Sequence, residues 1–170
     1  MSQGLAAQVA DLAARVRSLE EERAVLSSLY RYAHAIDYGD EATWVDCFTP
    51  DGVFDLHYMG DSPQNPRKGF GTPHAHGRRF AGKEELAMFV ANHTRAPIKW
   101  HKHVLVEPMI TFDPDFQRAR VRSYFVRIDN ENGAREIWAF GRYIDDMVRG
   151  QDGRWRFKER KVETEARRPA

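Results

Sequence analysis

Beyond Lys99 the chain reads as strands. Four segments rich in β-branched and aromatic residues, Lys99 to Phe112, Arg118 to Asp129, Glu136 to Val148 and Arg154 to Thr164, are separated by the turn signals Asp113-Pro-Asp115, Asp129-Asn-Glu-Asn-Gly133 and Gly150-Gln-Asp-Gly153. Because the strands follow one another directly, they predict a mixed or antiparallel meander. Large side chains stand on both faces, as in Ser123, Phe125 and Arg127 against Tyr124, Val126 and Ile128. One face is therefore expected to pack on helices and the other to meet something else, for which a partner subunit would serve.

The helices come first. Leu5, Val9, Leu12, Val16 and Leu19 recur at alternating steps of four and three, a heptad seam that closes at the charged cluster Glu20-Glu-Glu-Arg23. About two heptads are too few for an independent coiled coil, so the stripe is expected to pack on its own domain or on a neighbouring subunit. The helical pattern resumes through Val25, Leu26, Leu29, Tyr30, Ala33 and Asp37 and stops at Gly39. A short helix from Glu41 to Phe48 ends at the turn Thr49-Pro-Asp-Gly52, Val53 to Tyr58 reads as a strand, and Lys83 to Asn92 as a third helix. Between them, Gly60 to Phe80 collects three prolines, four glycines and two histidines, which predicts a long lid-like loop over 60–81. The fold class expected is α+β: N-terminal helices packed on a strongly curved mixed or antiparallel sheet, forming a cone-shaped barrel around a pocket. Residues 1–170 are expected to form a single domain, with 1–20 as an N-terminal helical extension.

Twenty-six basic residues against twenty-five acidic ones give the chain no bulk attraction to nucleic acid or to an anionic membrane. No window approaches the roughly 20 apolar residues of a membrane span, and no basic stretch followed by an apolar run opens the chain, so a cytoplasmic protein is expected. A small hydrophobic molecule is the expected partner, in a homodimer or homotrimer. The single cysteine, Cys47, sits among Trp44, Val45 and Phe48 and reads as a small buried hydrophobe.

The residues that carry chemistry are Asp37 and His103. Asp37 closes the long helix in Tyr30-Arg-Tyr32-Ala-His34-Ala-Ile-Asp37, and His103 stands at the start of the first of the aromatic-rich strands. A carboxylate and an imidazole on two rigid elements are what an acid/base dyad needs, because the carboxylate fixes the ring's tautomer and raises its basicity. Such a histidine removes a proton next to a carbonyl, while a tyrosine or second histidine stabilises the oxyanion or protonates a departing hydroxyl. Tyr30, Trp100, His101, Phe125, Trp138 and Phe140 are the candidate pocket residues. Among the tyrosines, helical geometry prefers Tyr30, two turns from Asp37. The pairs His74-Ala-His76 and His101-Lys-His103 make a metal site conceivable, but neither has the spacing of familiar catalytic sites, and no metal or cofactor is assigned.

The segments Tyr32-Ala-His-Ala-Ile-Asp37-Tyr-Gly-Asp40, Trp44-Val-Asp-Cys-Phe48-Thr-Pro-Asp-Gly52, His101-Lys-His103 and Gly141-Arg-Tyr-Ile-Asp-Asp, followed by Gly153-Arg-Trp155-Arg-Phe, resemble the SnoaL-like group of the nuclear transport factor 2-like, or cystatin-like, superfamily. The site is most similar to the branch of bile-acid dehydratase, scytalone dehydratase and hexachlorocyclohexane dehydrochlorinase. The resemblance implies His103 as base, Asp37 as its partner and Tyr32, by motif spacing, as the hydrogen-bonding acid. It further implies a cofactor-independent lyase or isomerase, and the flat apolar rings of Trp100, Phe125, Trp138 and Phe140 favour a polycyclic or aromatic substrate. The C-terminal arginine of the bile-acid enzyme is not matched, since Thr164 stands there. The second half also resembles the noncatalytic β subunit of ring-hydroxylating dioxygenases. A third reading is a SnoaL-like protein that binds a small molecule without turning it over. An open pocket behind the Asp37 and His103 pair separates the enzyme from the structural subunit.

Overall fold

The computed structural model describes residues 2–59, 71–131 and 133–167. Its first element is a single helix, α1 (Ser2–Tyr38), joining the two helical patterns of the sequence without a break. Its two halves differ in what they touch. From Leu5 to Leu19 the heptad residues are all exposed, whereas Val25, Leu29, Tyr32 and Ile36, at steps of four, three and four, are buried. Burial of such side chains stabilises the fold by roughly 1.5–3 kcal/mol each. The helix stops where Gly39 takes a positive φ of 74°, a conformation glycine adopts without steric cost. Asp40 then accepts the Thr43 N–H and starts α2 (Glu41–Asp46).

Strand β1 (Phe48–Tyr58) includes the segment expected as a turn: Phe48 pairs with Phe157 but Val53 with Glu159, so residues 49–52 bulge out of the ladder. Part of the segment expected as a loop is strand. Residues 60–70 lie outside the described residues, while β2 (Thr72–His74) and β3 (Gly77–Ala81) form a hairpin along β1. Glycine makes that pairing possible, because a Cβ at Gly77 would meet the Leu56 carbonyl oxygen at 1.9 Å. Helix α3 (Gly82–Ala91) follows and buries Leu86, Phe89 and Val90.

The meander is β4 (Trp100–Phe112), β5 (Arg118–Glu131), β6 (Ala134–Arg149) and β7 (Trp155–Arg167). The seven strands run β2-β3-β1-β7-β6-β5-β4, antiparallel throughout except where β1 lies parallel to β7. Of the register shifts in the sheet, two decide which side chains of β6 and β7 face the helices. One leaves Trp138 unpaired between Ile137 and Ala139, and the other leaves Glu165 unpaired between Thr164 and Ala166. At the second, a Cβ on Gly141 would lie 2.0 Å from the Glu163 carbonyl oxygen, so the close approach requires glycine.

The concave face and the helices share an aromatic core in which Tyr32 touches Trp44, Phe48, Phe54, Tyr143 and Phe157. Beneath it lies a buried ion pair, Arg160 donating to Asp145 at 2.8 and 2.7 Å, with the guanidinium over the rings of Tyr32, Tyr143 and Phe157. Cys47 is buried as expected, its thiol pushed up to about 11 by burial and donating to the Thr43 carbonyl. The convex face of β4–β6 leaves Tyr124, Ile128, Ile137 and Phe140 exposed. No helix among the described residues is long and apolar enough to cross a membrane.

Candidate active site

Asp37 is buried although the polypeptide turns at Gly39, because the start of β4 lies across it. Its carboxylate accepts the His103 backbone N–H at 3.1 and 3.3 Å and faces His103 Nδ1 at 2.7 Å. An ionised carboxylate only accepts, so Nδ1 carries the proton and donates it, and Nε2 is left as the basic nitrogen. His103 is also one of the residues that line the cavity between helices and sheet. Burial holds its imidazole below the ordinary value; the Asp37 hydrogen bond pulls the other way and the nearby Arg127 cation adds to the depression. The ring is therefore neutral at pH 7, as a base must be.

A water-sized sphere can place its centre in about 90 Å³ of this cavity. The walls alternate by strand: Phe54, Leu56 and Tyr58 from β1, Val162 and Thr164 from β7, Tyr143 from β6, and Phe125 and Arg127 from β5. Tyr32 and Ile36 close it from α1, and Phe89 and His93 from the end of α3. Tyr32 is pushed up to about 12 by burial, against the opposing Arg160 cation, so its phenol stays protonated and able to donate. Burial also raises Tyr143 well above its ordinary value.

The expected pocket residues divide by strand parity. Phe125 and Trp138 line the cavity. Trp100 and Phe140 do not: they are 48% and 47% exposed, because the alternation that turns His103 and Ala139 inward turns them outward. His101 shares the face of His103 but lies behind the dyad, fully buried, with Nε2 3.5 Å from Asp37. Burial, helped by the Arg127 cation, pushes its imidazole down to about 4. Tyr30 is 44% exposed and lines nothing. It shares the helix face of Asp37, yet that face is buried at Asp37, under the His103 end of β4, and open at Tyr30.

Among the lining residues that the sequence did not point to, four bear on the chemistry. His93 follows α3, where the helical pattern had run out; its Nδ1 lies 2.7 Å from the Thr94 carbonyl and its ring 5.8 Å from that of His103. Tyr143 stacks on Phe125, 4.7 Å between centroids. Arg127 is held by Asp129 through bonds of 2.7 and 3.1 Å, and Lys99 joins the same carboxylate at 3.1 Å. Burial alone would raise Asp129, but these two cations hold it below its ordinary range. Arg167 faces inward only because the extra residue Glu165 reverses the parity of β7. Its guanidinium lies over the rings of Trp138 and Tyr58, its Nε is buried without a hydrogen-bond partner, and it forms no ion pair among the described residues. Among the described residues, the cavity wall thus carries one guanidinium, that of Arg167, with no carboxylate against it.

Among the described residues, two groups bring a carboxylate and two imidazoles within 4.8 Å of one another: Asp37, His101 and His103, and, on the opposite face of β1, Asp55, His57 and His74. In the first, the carboxylate already accepts two N–H groups of His103. In the second, the His76 backbone N–H donates to His74 Nδ1 at 3.2 Å, which puts the His74 proton on Nε2 facing Asp55 at 2.9 Å. Arg79 lies 3.5 Å from the same carboxylate. A proton on the would-be ligand atom and an adjacent guanidinium both favour a hydrogen-bonded cluster over a cation there.

Helices packed on a curled, mixed seven-stranded sheet define the nuclear transport factor 2-like, or cystatin-like, α+β fold class. Within that class the chain belongs to the SnoaL-like domain family, whose pattern matches residues 17–161. No functionally curated protein matches it. A cystatin-like-fold protein of Novosphingobium aromaticivorans is similar at TM-score 0.71 and 20% identity, over 90% of this chain and 87% of that one. From the same organism, the β subunit of a candidate aromatic-ring-hydroxylating dioxygenase gives 0.70 and 19%, covering 91% and 95%. A candidate scytalone dehydratase gives 0.63 and 21%, covering 88% and 87%. At these identities the likeness speaks for the fold.

Proposed function

We propose that this chain is a cofactor-independent lyase or isomerase in which His103 Nε2 removes a proton next to a carbonyl and Asp37 holds the ring in the required tautomer. The observation that carries the reading is the 2.7 Å contact between His103 Nδ1 and Asp37 on the wall of an open cavity. Tyr32 and Tyr143, both kept protonated by burial, are the donors available to an enolate oxygen or a departing hydroxyl. The likeness to a candidate scytalone dehydratase is consistent with that chemistry.

Cavity size narrows the substrate. Drug-sized ligands occupy roughly 300–1,000 Å³, so about 90 Å³ favours a compound with one ring over a polycyclic one. Phe54, Phe125 and Trp138 provide flat apolar walls, and Arg167 favours a carbonyl or carboxylate on the ring's edge. The same cavity and dyad weigh against a purely structural role like that of a dioxygenase β subunit, which needs neither.

The test does not require the natural substrate. Cyclic ketones and ring-bearing keto acids in D₂O should exchange their α-protons faster with the wild-type protein than with His103→Ala, as followed by proton NMR. Compounds that bind without exchange would leave a binding protein in place of an enzyme.

A further inference from the structure

The first half of α1 carries an apolar seam that none of the described residues covers. Leu5, Val9, Leu12, Val16 and Leu19 are 51–66% exposed along a rigid helix. The contacts of α1 with its own domain lie elsewhere on its circumference. Arg17 donates to the Asp115 carbonyl and stacks on Phe116, Glu21 accepts the Trp155 indole N–H, Ser28 donates to the Trp155 carbonyl, and Val25, Leu29, Tyr32 and Ile36 are buried. At 3.6 residues per turn, that set and the seam are centred roughly 170° apart. The seam faces directly away from the body of the protein, so no movement of the domain onto its own helix covers it.

The residue types on the seam specify what does. In heptad positions, Val9 and Val16 fall at a, and Leu5, Leu12 and Leu19 at d. β-Branched residues at a with leucine at d are the combination that favours two parallel strands over three or four. The flanking positions agree. In a parallel, in-register pair, position g of one helix meets the following e of the other, which sets Arg15 opposite Glu20 twice by symmetry; the other flanking pair, Gln8 and Ala13, is neutral. No like charges meet. Shortness, which makes two heptads marginal as a free peptide, matters less here because the buried half of α1 already nucleates the helix.

We infer that residues 5–19 are the dimerisation element of this protein, pairing as a parallel two-stranded coiled coil with the same segment of a second copy. The two domains then lie on opposite outer sides of the pair, since each sits on the helix face turned from the seam. The pocket of each copy stays complete and independent, so this inference does not rest on the enzymatic reading.

Sedimentation equilibrium on the full chain tests it, together with two single-cysteine variants; the native Cys47 is buried and does not interfere. Leu12→Lys should weaken self-association by about tenfold or more while leaving the circular dichroism of the domain unchanged. Under mild oxidation Leu5→Cys and Leu19→Cys should each form a disulfide-linked dimer alone, because parallel register sets like d positions side by side. A wild-type monomer would overturn the inference. So would crosslinking only when the two cysteine variants are mixed, which is the antiparallel outcome, or an association constant unchanged by Leu12→Lys with neither variant crosslinking.

Discussion

His103 Nδ1 lies 2.7 Å from Asp37 across 66 residues of sequence, and the backbone N–H of the same histidine donates to the same carboxylate. Ring and main chain are thereby fixed by one acceptor, so the histidine's tautomer and its position cannot drift separately. Replacing His103 by alanine should lower turnover by roughly 10²- to 10⁴-fold, the usual contribution of a general base. Asp37→Asn keeps an acceptor oxygen for the backbone but lets Nδ1 accept instead of donate. Its kcat should fall with KM little changed, and equal losses in binding would instead mark Asp37 as a substrate contact.

Acid should destabilise the fold through the buried histidines. His101 is held down to about 4 by burial and His103 is depressed in the same direction, so below the ordinary value of about 6.5 the unfolded chain binds protons that the folded one refuses. The stability they contribute is complete above pH 6.5 and is lost as pH falls toward 4. For His101 the loss by pH 4.5 is roughly 2–3 kcal/mol. Urea midpoints from pH 7.5 to 4.5 measure it, and His101→Phe should flatten the profile.

The ion pair under the pocket should be costly to break and cheap to remove whole. Arg160→Met leaves Asp145 buried and uncompensated, and should cost about 3–5 kcal/mol by urea unfolding. Adding Asp145→Leu should recover most of that, because the uncompensated charge goes with it.

Arg167 should govern affinity rather than rate. Arg167→Gln removes a cation that has no ion-pair partner among the described residues while keeping most of the side chain's length. Binding of aromatic carboxylates should weaken about tenfold or more, as expected for a lost charge-assisted bond, while neutral ring ketones bind equally well. Titration calorimetry on matched acid and ketone pairs separates the two.

Much of this protein is written locally. Helix and strand periods along α1 and β4–β7 follow from which residues must be hidden, and Gly39 and the Asp113 and Gly150 turns mark where the elements stop. That is enough to specify helices before a meander and to single out Asp37 and His103, whose roles await the experiments above. Parity set by bulges was out of reach, so Trp138 was read from the sequence but its neighbour Ala139 and Arg167 were not. One unpaired residue in β6 turns Trp138 and Ala139 to the same side, and another in β7 turns Arg167 inward, because a strand's side chains alternate and a single insertion reverses all that follow. Tyr30 and Asp37 share a helix face but not an environment, since only tertiary packing decides where along α1 that face is covered. The seam from Leu5 to Leu19 shows the same division. Its period is plain in the sequence, while the direction it faces, away from the rest of the described residues, is set by the domain packed on the other side of the helix.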